Sequence, residues 1–131
     1  MKTNKQIANL IAKKIFGWHL GAKEPNKVWW KDSAGKNTYI STTTDLEGDL
    51  WTGLSGYHWE PARNTTQAWL VVKQLAKGDF SDFIMTFEDG EWTVQILGRN
   101  HWFKISHGEA THKDIAKAIC LASLQAIGVD T

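Results

Sequence analysis

Side chains that could bind a ligand are concentrated between residues 44 and 63. From residue 45 the sequence reads DLEGDLWTGLSGYHWEPAR, which holds two tryptophans, a tyrosine, a histidine and an arginine. The segment has the period of neither a helix nor a strand, and long irregular loops in compact domains are usually functional or disordered. Because disordered segments are poor in aromatic residues, we expect an ordered loop that either fills the core or presents a binding surface.

Two arginines add the chemistry of anion binding to these aromatic residues. Arg63 directly precedes a predicted helix start at residues 64–66, where free backbone N–H groups suit an anion. Arg99 lies near Trp102 at a predicted hairpin tip, and arginine beside tryptophan can bind phosphates and stack on bases. In the alternative interpretation, Arg63 pairs with a local carboxylate and Arg99 is simply solvent-exposed. The predicted ligand-binding residues are Trp51, Tyr57, His58, Trp59, Arg63, Thr65, Arg99 and Trp102.

Sequence patterns that would indicate catalysis are weaker than those that indicate ligand binding. Cys120 lies in the middle of an apolar helix pattern, where thiols are usually inert, and no G-x-S-x-G motif is present. His107, Glu109 and His112 are spaced closely enough for a small metal site, but their spacing matches no standard zinc motif. We therefore predict a protein without enzymatic activity, metal or cofactor. A small metal-dependent hydrolase using these three residues is an alternative.

Bulk properties limit the classes of partner and compartment. A chain of 131 residues is expected to form one domain, residues 1–131. A net charge of +1 argues against general nucleic-acid binding. The single cysteine fits a reducing compartment, and no run approaches the ~20 apolar residues of a membrane span. Lysines interrupt the apolar N-terminal stretch, which argues against a signal peptide. We predict a cytoplasmic protein that does not bind membranes.

Three helices are predicted, and each begins at a capping pattern in which Thr or Asn precedes Gln or Asp by three residues. They cover residues 3–16, about 65–77 and about 112–127, and a glycine follows each of them. The last helix is rich in alanine and serine, so we expect it to pack closely on a sheet.

Five strands complete the predicted fold. Residues 28–31 and 38–41 form a hairpin around a turn-rich stretch. A three-stranded meander follows, in which Asp89 and Gly90 make a tight turn and Gly98 to Asn100 makes another. One face of this meander is apolar; the other is mixed and is therefore solvated, covered by a helix or used for contact. The order α-β-β-α-β-β-β-α predicts an α+β domain with helices packed on an antiparallel sheet of about five strands.

Three stretches of the chain resemble the phage ABA sandwich domain family. They are IANLIAKKIFGW at residues 7–18, WEPARNTTQAWLVVKQL at 59–75 and ATHKDIAKAICLASLQAIG at 110–128. The resemblance implies an α/β/α layered sandwich encoded by bacteriophages or prophages, and it brings no catalytic motif. Members of the family pass more directly from the hairpin to the second helix. Segment 44–63 is therefore predicted to be an inserted aromatic loop, with residues 44–57 as the elaboration.

The resemblance also implies a function, because small phage accessory proteins often counter host defence. We expect a binding protein that sequesters a small anionic, nucleotide-type signal molecule by means of the aromatic loop and an arginine. The alternative is an inhibitor that binds a host defence protein through the loop and the mixed sheet face, since aromatic and arginine enrichment is typical of interface centres. Eight tryptophans in so short a chain also favour contact between subunits, that is, a homo-oligomer.

Overall fold

The computed structural model describes residues 2–21, 28–41, 58–99 and 104–131. These residues form an α+β sandwich-like fold of three helices and two three-stranded antiparallel sheets. The elements, in chain order, are α1 (Asn4–Lys14), β1 (His19–Leu20), β2 (Trp29–Lys31), β3 (Asn37–Ile40), α2 (Thr65–Leu75), β4 (Phe80–Glu88), β5 (Glu91–Arg99), β6 (Lys104–His112) and α3 (Ile115–Ala126). The predicted α+β class is confirmed, with six strands in the described part of the chain instead of about five.

The chain divides into two compact units, residues 2–60 and residues 61–131. The first holds α1 and the sheet β1-β2-β3; the second holds α2, α3 and the sheet β4-β5-β6. The strand missing from the sequence prediction is β1, where His19 pairs with Lys31 and Leu20 with Trp30. Two residues are too few to show the alternation by which a strand is recognised. The prediction of one domain over 1–131, with an inserted loop at 44–63, stays a prediction.

Local hydrogen bonds explain the elements of the first unit. Thr3 and Gln6 form a complete capping box, in which the Thr3 hydroxyl accepts from the Gln6 amide at 3.2 Å and the Gln6 side chain accepts from the Thr3 amide at 2.9 Å. In the β2–β3 hairpin, the Asp32 carboxylate accepts from the amides of Ala34 at 3.0 Å and Lys36 at 2.9 Å. The predicted first helix start and the predicted hairpin are both confirmed.

In the second unit, α2 begins as predicted and α3 does not. The Asn64 side chain accepts from the Gln67 amide at 3.1 Å and caps α2. The predicted third helix start at residue 112 is wrong, because β6 extends to His112 and the N-cap of α3 is Asp114. The Asp114 carboxylate accepts from the Ala116 amide at 3.0 Å. The sequence pattern predicted Thr111 as the N-cap and Asp114 three residues after it. In the structure Asp114 is itself the N-cap.

The sheet of the second unit is a regular meander with one defined turn. Asp89 and Gly90 have φ angles of 53° and 78° and join β4 to β5, which is the backbone of a type I′ turn. The second predicted turn, which began at Gly98, starts too early because β5 continues to Arg99. The β5–β6 ladder contains an irregularity between Ile96 and Leu97.

Gly108 permits α3 to lie directly on β6. A Cβ atom at this position would collide with the backbone carbonyl oxygen of Ala122 and would lie 2.8 Å from the backbone nitrogen of Ala126. Both obstacles are backbone atoms of a helix, so a side-chain rotation cannot relieve the contact. The expected close packing of the small-residue helix on the sheet is therefore confirmed, and Gly108 is the residue that makes it possible.

We predict that Gly108→Ala lowers the free energy of unfolding by about 3 kcal/mol or more, at or above the upper range for overpacked cores, because α3 must move away from β6. Gly98→Ala is the matched control, since the three atoms nearest to its Cβ would all belong to the imidazole of His107, an exposed side chain that can turn aside. Urea unfolding followed by circular dichroism measures both. Equal losses for the two variants would contradict the close contact at Gly108.

Candidate functional site

Trp59 lies at the centre of an aromatic cluster in the first unit. Its ring is fully buried and lies 4.9 Å from Trp18, 5.0 Å from Tyr39 and 5.4 Å from Phe16, measured between ring centroids. The Trp59 indole N–H donates to the carbonyl oxygen of Ala8 at 3.0 Å. We name these four rings the Trp59 cluster. Its geometry is that of edge-on and tilted aromatic packing, which adds to the free energy gained by burial.

The described end of the predicted aromatic loop is core. Residues 58–62 are all buried, and the backbone N–H of Trp59 donates to the carbonyl oxygen of Ile40 at 2.9 Å. Of the two uses expected for this loop, residues 58–62 serve the first and fill the core. Trp51 and Tyr57, also predicted to bind ligand, lie outside the described residues.

Arg63, Thr65 and Arg99 lie in the second unit, whereas His58 and Trp59 belong to the first. Arg63 is half-buried directly before the α2 cap, and Thr65 is exposed in the first turn of that helix. The first turn of α2 has no acidic residue. Arg99 ends β5, where its backbone pairs with Lys104. Trp102 lies outside the described residues.

His107, Glu109 and His112, the residues of the hydrolase alternative, all lie on β6 but do not come together in one site. The His107 ring packs edge-on against Phe80 at 5.6 Å. Glu109 and His112 are three residues apart on β6, and alternation along a strand places them on opposite faces. His112 Nδ1 accepts from the Asp114 amide at 2.9 Å. Over residues 2–21, 28–41, 58–99 and 104–131, no group of three His, Cys, Asp or Glu side chains is placed to hold a metal ion.

Cys120 is buried in the core of α3. Burial, and to a smaller extent the nearby Asp114 carboxylate, raise the pKa of its thiol well above the usual range. Because the thiolate is the nucleophilic form, this environment does not support covalent catalysis.

One face of the β4-β5-β6 sheet is open to solvent, and we name it the outer face. It consists of the even-numbered residues 82–88 of β4, the odd-numbered residues 91–97 of β5, and Glu109 and Thr111 of β6. All of these side chains are half-buried or exposed, and Ile84 is 44% exposed. The opposite face carries the buried residues Val94, Ile96 and Gly108, and α3 packs on it.

Two cross-strand hydrogen bonds order the middle of the outer face. The Thr93 and Thr111 hydroxyl oxygens lie 2.9 Å apart, and Gln95 Nε2 donates to Glu109 Oε1 at 3.0 Å. Such cross-strand pairs stabilise a sheet and fix side-chain positions. Both pairs join β5 to β6.

The charged residues among the described side chains of the outer face are all acidic. They are Asp82, Glu88, Glu91 and Glu109, and the described side chains of this face include no lysine or arginine. The mixed face was predicted from the sequence, but no carboxylates were assigned to it. Side chains alternate between the two faces along a strand, so residues 82, 84, 86 and 88 share one face. Because the turn between β4 and β5 has two residues, residues 91, 93 and 95 lie on that same face.

No helix among the described residues is both long and apolar enough to cross a membrane.

We predict that Trp59→Ala lowers the free energy of unfolding by about 3–5 kcal/mol, the usual cost of removing a buried tryptophan. Trp59→Phe should cost less, because it keeps an aromatic ring and loses the hydrogen bond to Ala8. The control is Trp69→Ala on α2, where the side chain is 44% exposed, and the expected loss is below about 1 kcal/mol. If urea unfolding gives similar losses for Trp59→Ala and Trp69→Ala, the core role of Trp59 is wrong.

We predict that Cys120 does not react with a thiol reagent such as dithionitrobenzoate in the folded protein at neutral pH. Burial excludes the reagent, and the raised pKa suppresses the thiolate. The same protein in guanidinium chloride should release one equivalent of chromophore per chain, which is the positive control. Rapid labelling of the folded protein would contradict the burial of this thiol.

Comparison with known proteins places the chain in a family. The family model described as Phage ABA sandwich domain matches residues 9–124 of the 131 residues. No curated protein and no solved structure matches the chain. The matched region reaches from α1 to α3 and includes both the Trp59 cluster and the outer face. Because it covers far more than half of the sequence, the chain belongs to the Phage ABA sandwich domain family.

Proposed function

We propose that this chain is a non-enzymatic binding protein of a phage or prophage, and that its outer face binds and blocks a basic surface on a host protein. The observation that carries the proposal is the outer face itself, whose charged residues among the described side chains are four carboxylates, with Glu109 held by its hydrogen bond to Gln95. Membership of the Phage ABA sandwich domain family supports a phage or prophage origin. We include a role against host defence in the proposal, because small phage proteins often have such a role.

The outer face has the features that a protein interface needs. Its central side chains are held by the Thr93–Thr111 and Gln95–Glu109 hydrogen bonds, so less conformational entropy is lost when a partner binds. Ile84 offers an exposed apolar contact beside them. The surrounding carboxylates are suited to attract lysine and arginine side chains, which accelerates association and selects the partner.

These features favour a host protein as the partner over a small nucleotide-type ligand. A nucleotide site would need stacking rings and cationic groups, but Trp59 and His58 are buried, and the charged residues among the described side chains of the outer face are carboxylates. A carboxylate-rich surface repels phosphate. We therefore place the protein partner first and a host defence protein as its expected class.

Binding of a small anion remains a second candidate at the start of α2. Arg63 and the exposed Thr65 flank a helix N-terminus whose first turn has no acidic side chain, and such a terminus favours negative charge. This candidate uses only the residues of α2 and its cap, and does not involve the outer face.

We predict that Glu109→Lys weakens binding to the host partner by about tenfold or more, which corresponds to ~1.4 kcal/mol. The substitution reverses a charge on the β6 side of the outer face and removes the acceptor for Gln95. Tagged protein is incubated with host lysate at low salt, retained proteins are identified by mass spectrometry, and the affinity of the retained protein is then measured by titration.

The matched control is Asp130→Lys, which makes the same change in net charge at an exposed position after α3 and should leave binding unchanged. Binding of the wild-type protein should also weaken as ionic strength rises. Equal affinity of Glu109→Lys and wild type would refute the outer face as the binding surface. A nucleotide that raises the melting temperature of wild type and Glu109→Lys alike, but not of Arg63→Gln, would establish the second candidate instead.

A further inference from the structure

Strand β4 is an edge of its sheet. The strand order is β4-β5-β6, and among the described residues β4 pairs with β5 alone. An edge strand presents unpaired backbone N–H and C=O groups, which are a template for pairing with another strand. With nine residues, β4 is long for such an edge.

Natural edge strands are usually protected by lysine, proline, bulges or short length, and β4 lacks most of these devices. Its sequence FSDFIMTFE contains no lysine, arginine or proline. The only irregularity of its ladder is at the first residues, between Phe80 and Asp82. Ile84 and Phe87 are 44% and 58% exposed, so two of the four exposed large hydrophobic side chains in the described part of the chain lie on this one strand.

The other edge, β6, is different. Its described side chains include Glu109 and two histidines, and the irregularity in its ladder falls mid-strand, opposite Ile96 and Leu97. By the same criteria β6 is a protected edge. Beyond its first residues β4 is the more regular of the two edges, and it exposes two large apolar side chains, which suits pairing with a partner strand.

The hairpin geometry determines which backbone groups of β4 point outward. Glu88 and Glu91 flank the two-residue turn and therefore form the first hydrogen-bonded pair, after which such pairs recur at every second residue. Ile84 and Thr86 then direct their backbone groups toward β5. Phe83, Met85 and Phe87 direct theirs to the free edge.

Two antiparallel registers of a second copy of β4 differ in the charges that they bring together. With the two-fold axis at Met85, Asp82 would face Glu88 of the second copy, twice, and like charges directly opposite are unfavourable. With the axis at Ile84, Asp82 faces Thr86 and Ile84 faces itself. Residue 84 is also the midpoint of the strand, so the overlap is complete.

We infer that the protein forms a two-fold dimer in which β4 pairs antiparallel with β4 of a second copy, centred on Ile84. Phe83 of one chain and Met85 of the other exchange backbone hydrogen bonds, and the two Ile84 side chains touch on the outer face. The two three-stranded sheets thereby become one sheet of six strands. The inference rests on the edge of the sheet and does not depend on the proposed host partner.

The purified protein alone provides the test, by light scattering after size-exclusion chromatography over a dilution series. Wild type should have twice the mass of one chain. Ile84→Lys places two like charges opposite each other, and we expect its dimer dissociation constant to rise about tenfold or more. The matched control is Thr86→Lys, on the same strand and face, which would meet Asp82 of the second copy and should leave the dimer intact.

Cysteine cross-linking tests the register directly. In a non-hydrogen-bonded pair the Cα atoms are ~4.5 Å apart, within the range that a disulfide spans, so Ile84→Cys should form a covalent dimer on mild oxidation. Thr86→Cys faces Asp82 and should not, and the native Cys120 is buried. Circular dichroism confirms that each variant is folded. A monomeric wild type at every concentration, or equal cross-linking of both cysteine variants, overturns the inference.

Discussion

The backbone of α3 lies against β6 at Gly108, and the second unit depends on this contact. A residue with a Cβ atom would collide with the helix backbone at Ala122, so the closeness of helix and sheet is set by the absence of one side chain. The close approach keeps Val94 and Ile96 fully buried on the helix side of the sheet. It also assigns the two faces their roles, since the face that α3 covers is apolar and the face that it leaves open carries the carboxylates.

The first unit is organised by a different interaction, the burial of Trp59. The ring is fully buried, and its only polar atom, the indole nitrogen, is satisfied by the carbonyl oxygen of Ala8, 51 residues earlier in the chain. A buried donor without an acceptor would be costly, so this hydrogen bond is what allows a tryptophan to occupy the core. The same bond ties the chain after β3 to the helix that begins the protein.

Local signals predicted local structure well. The capping patterns at Thr3 and Asn64 and the turn at Asp89 are each encoded by a few neighbouring residues, and the structure forms all three. The start of α3 was misjudged because Thr111 and Asp114 both suit a cap, and the choice between them depends on where β6 ends. That is a tertiary property, invisible in a short window of sequence.

The candidate site was harder to predict for a physical reason. Tryptophan serves both cores and interfaces, so composition alone cannot say whether Trp59 faces a ligand or the interior. The acidic outer face is assembled from three strands, and Glu109 lies 18 residues from Glu91 on a strand whose register contains an irregularity. Only the pairing of the strands brings these carboxylates to one surface.

Ile40 and His58 are joined by a parallel bridge, with the Trp59 amide bonded to the Ile40 carbonyl. The described segments that end at Ser41 and resume at His58 therefore meet at neighbouring points of the first unit. A segment whose two ends are fixed together can change in length at little cost, since each doubling of a flexible loop adds only about 0.6 kcal/mol of closure entropy. A change in the number of residues between these two anchors would therefore leave the contacts of Ile40, His58 and Trp59 in place.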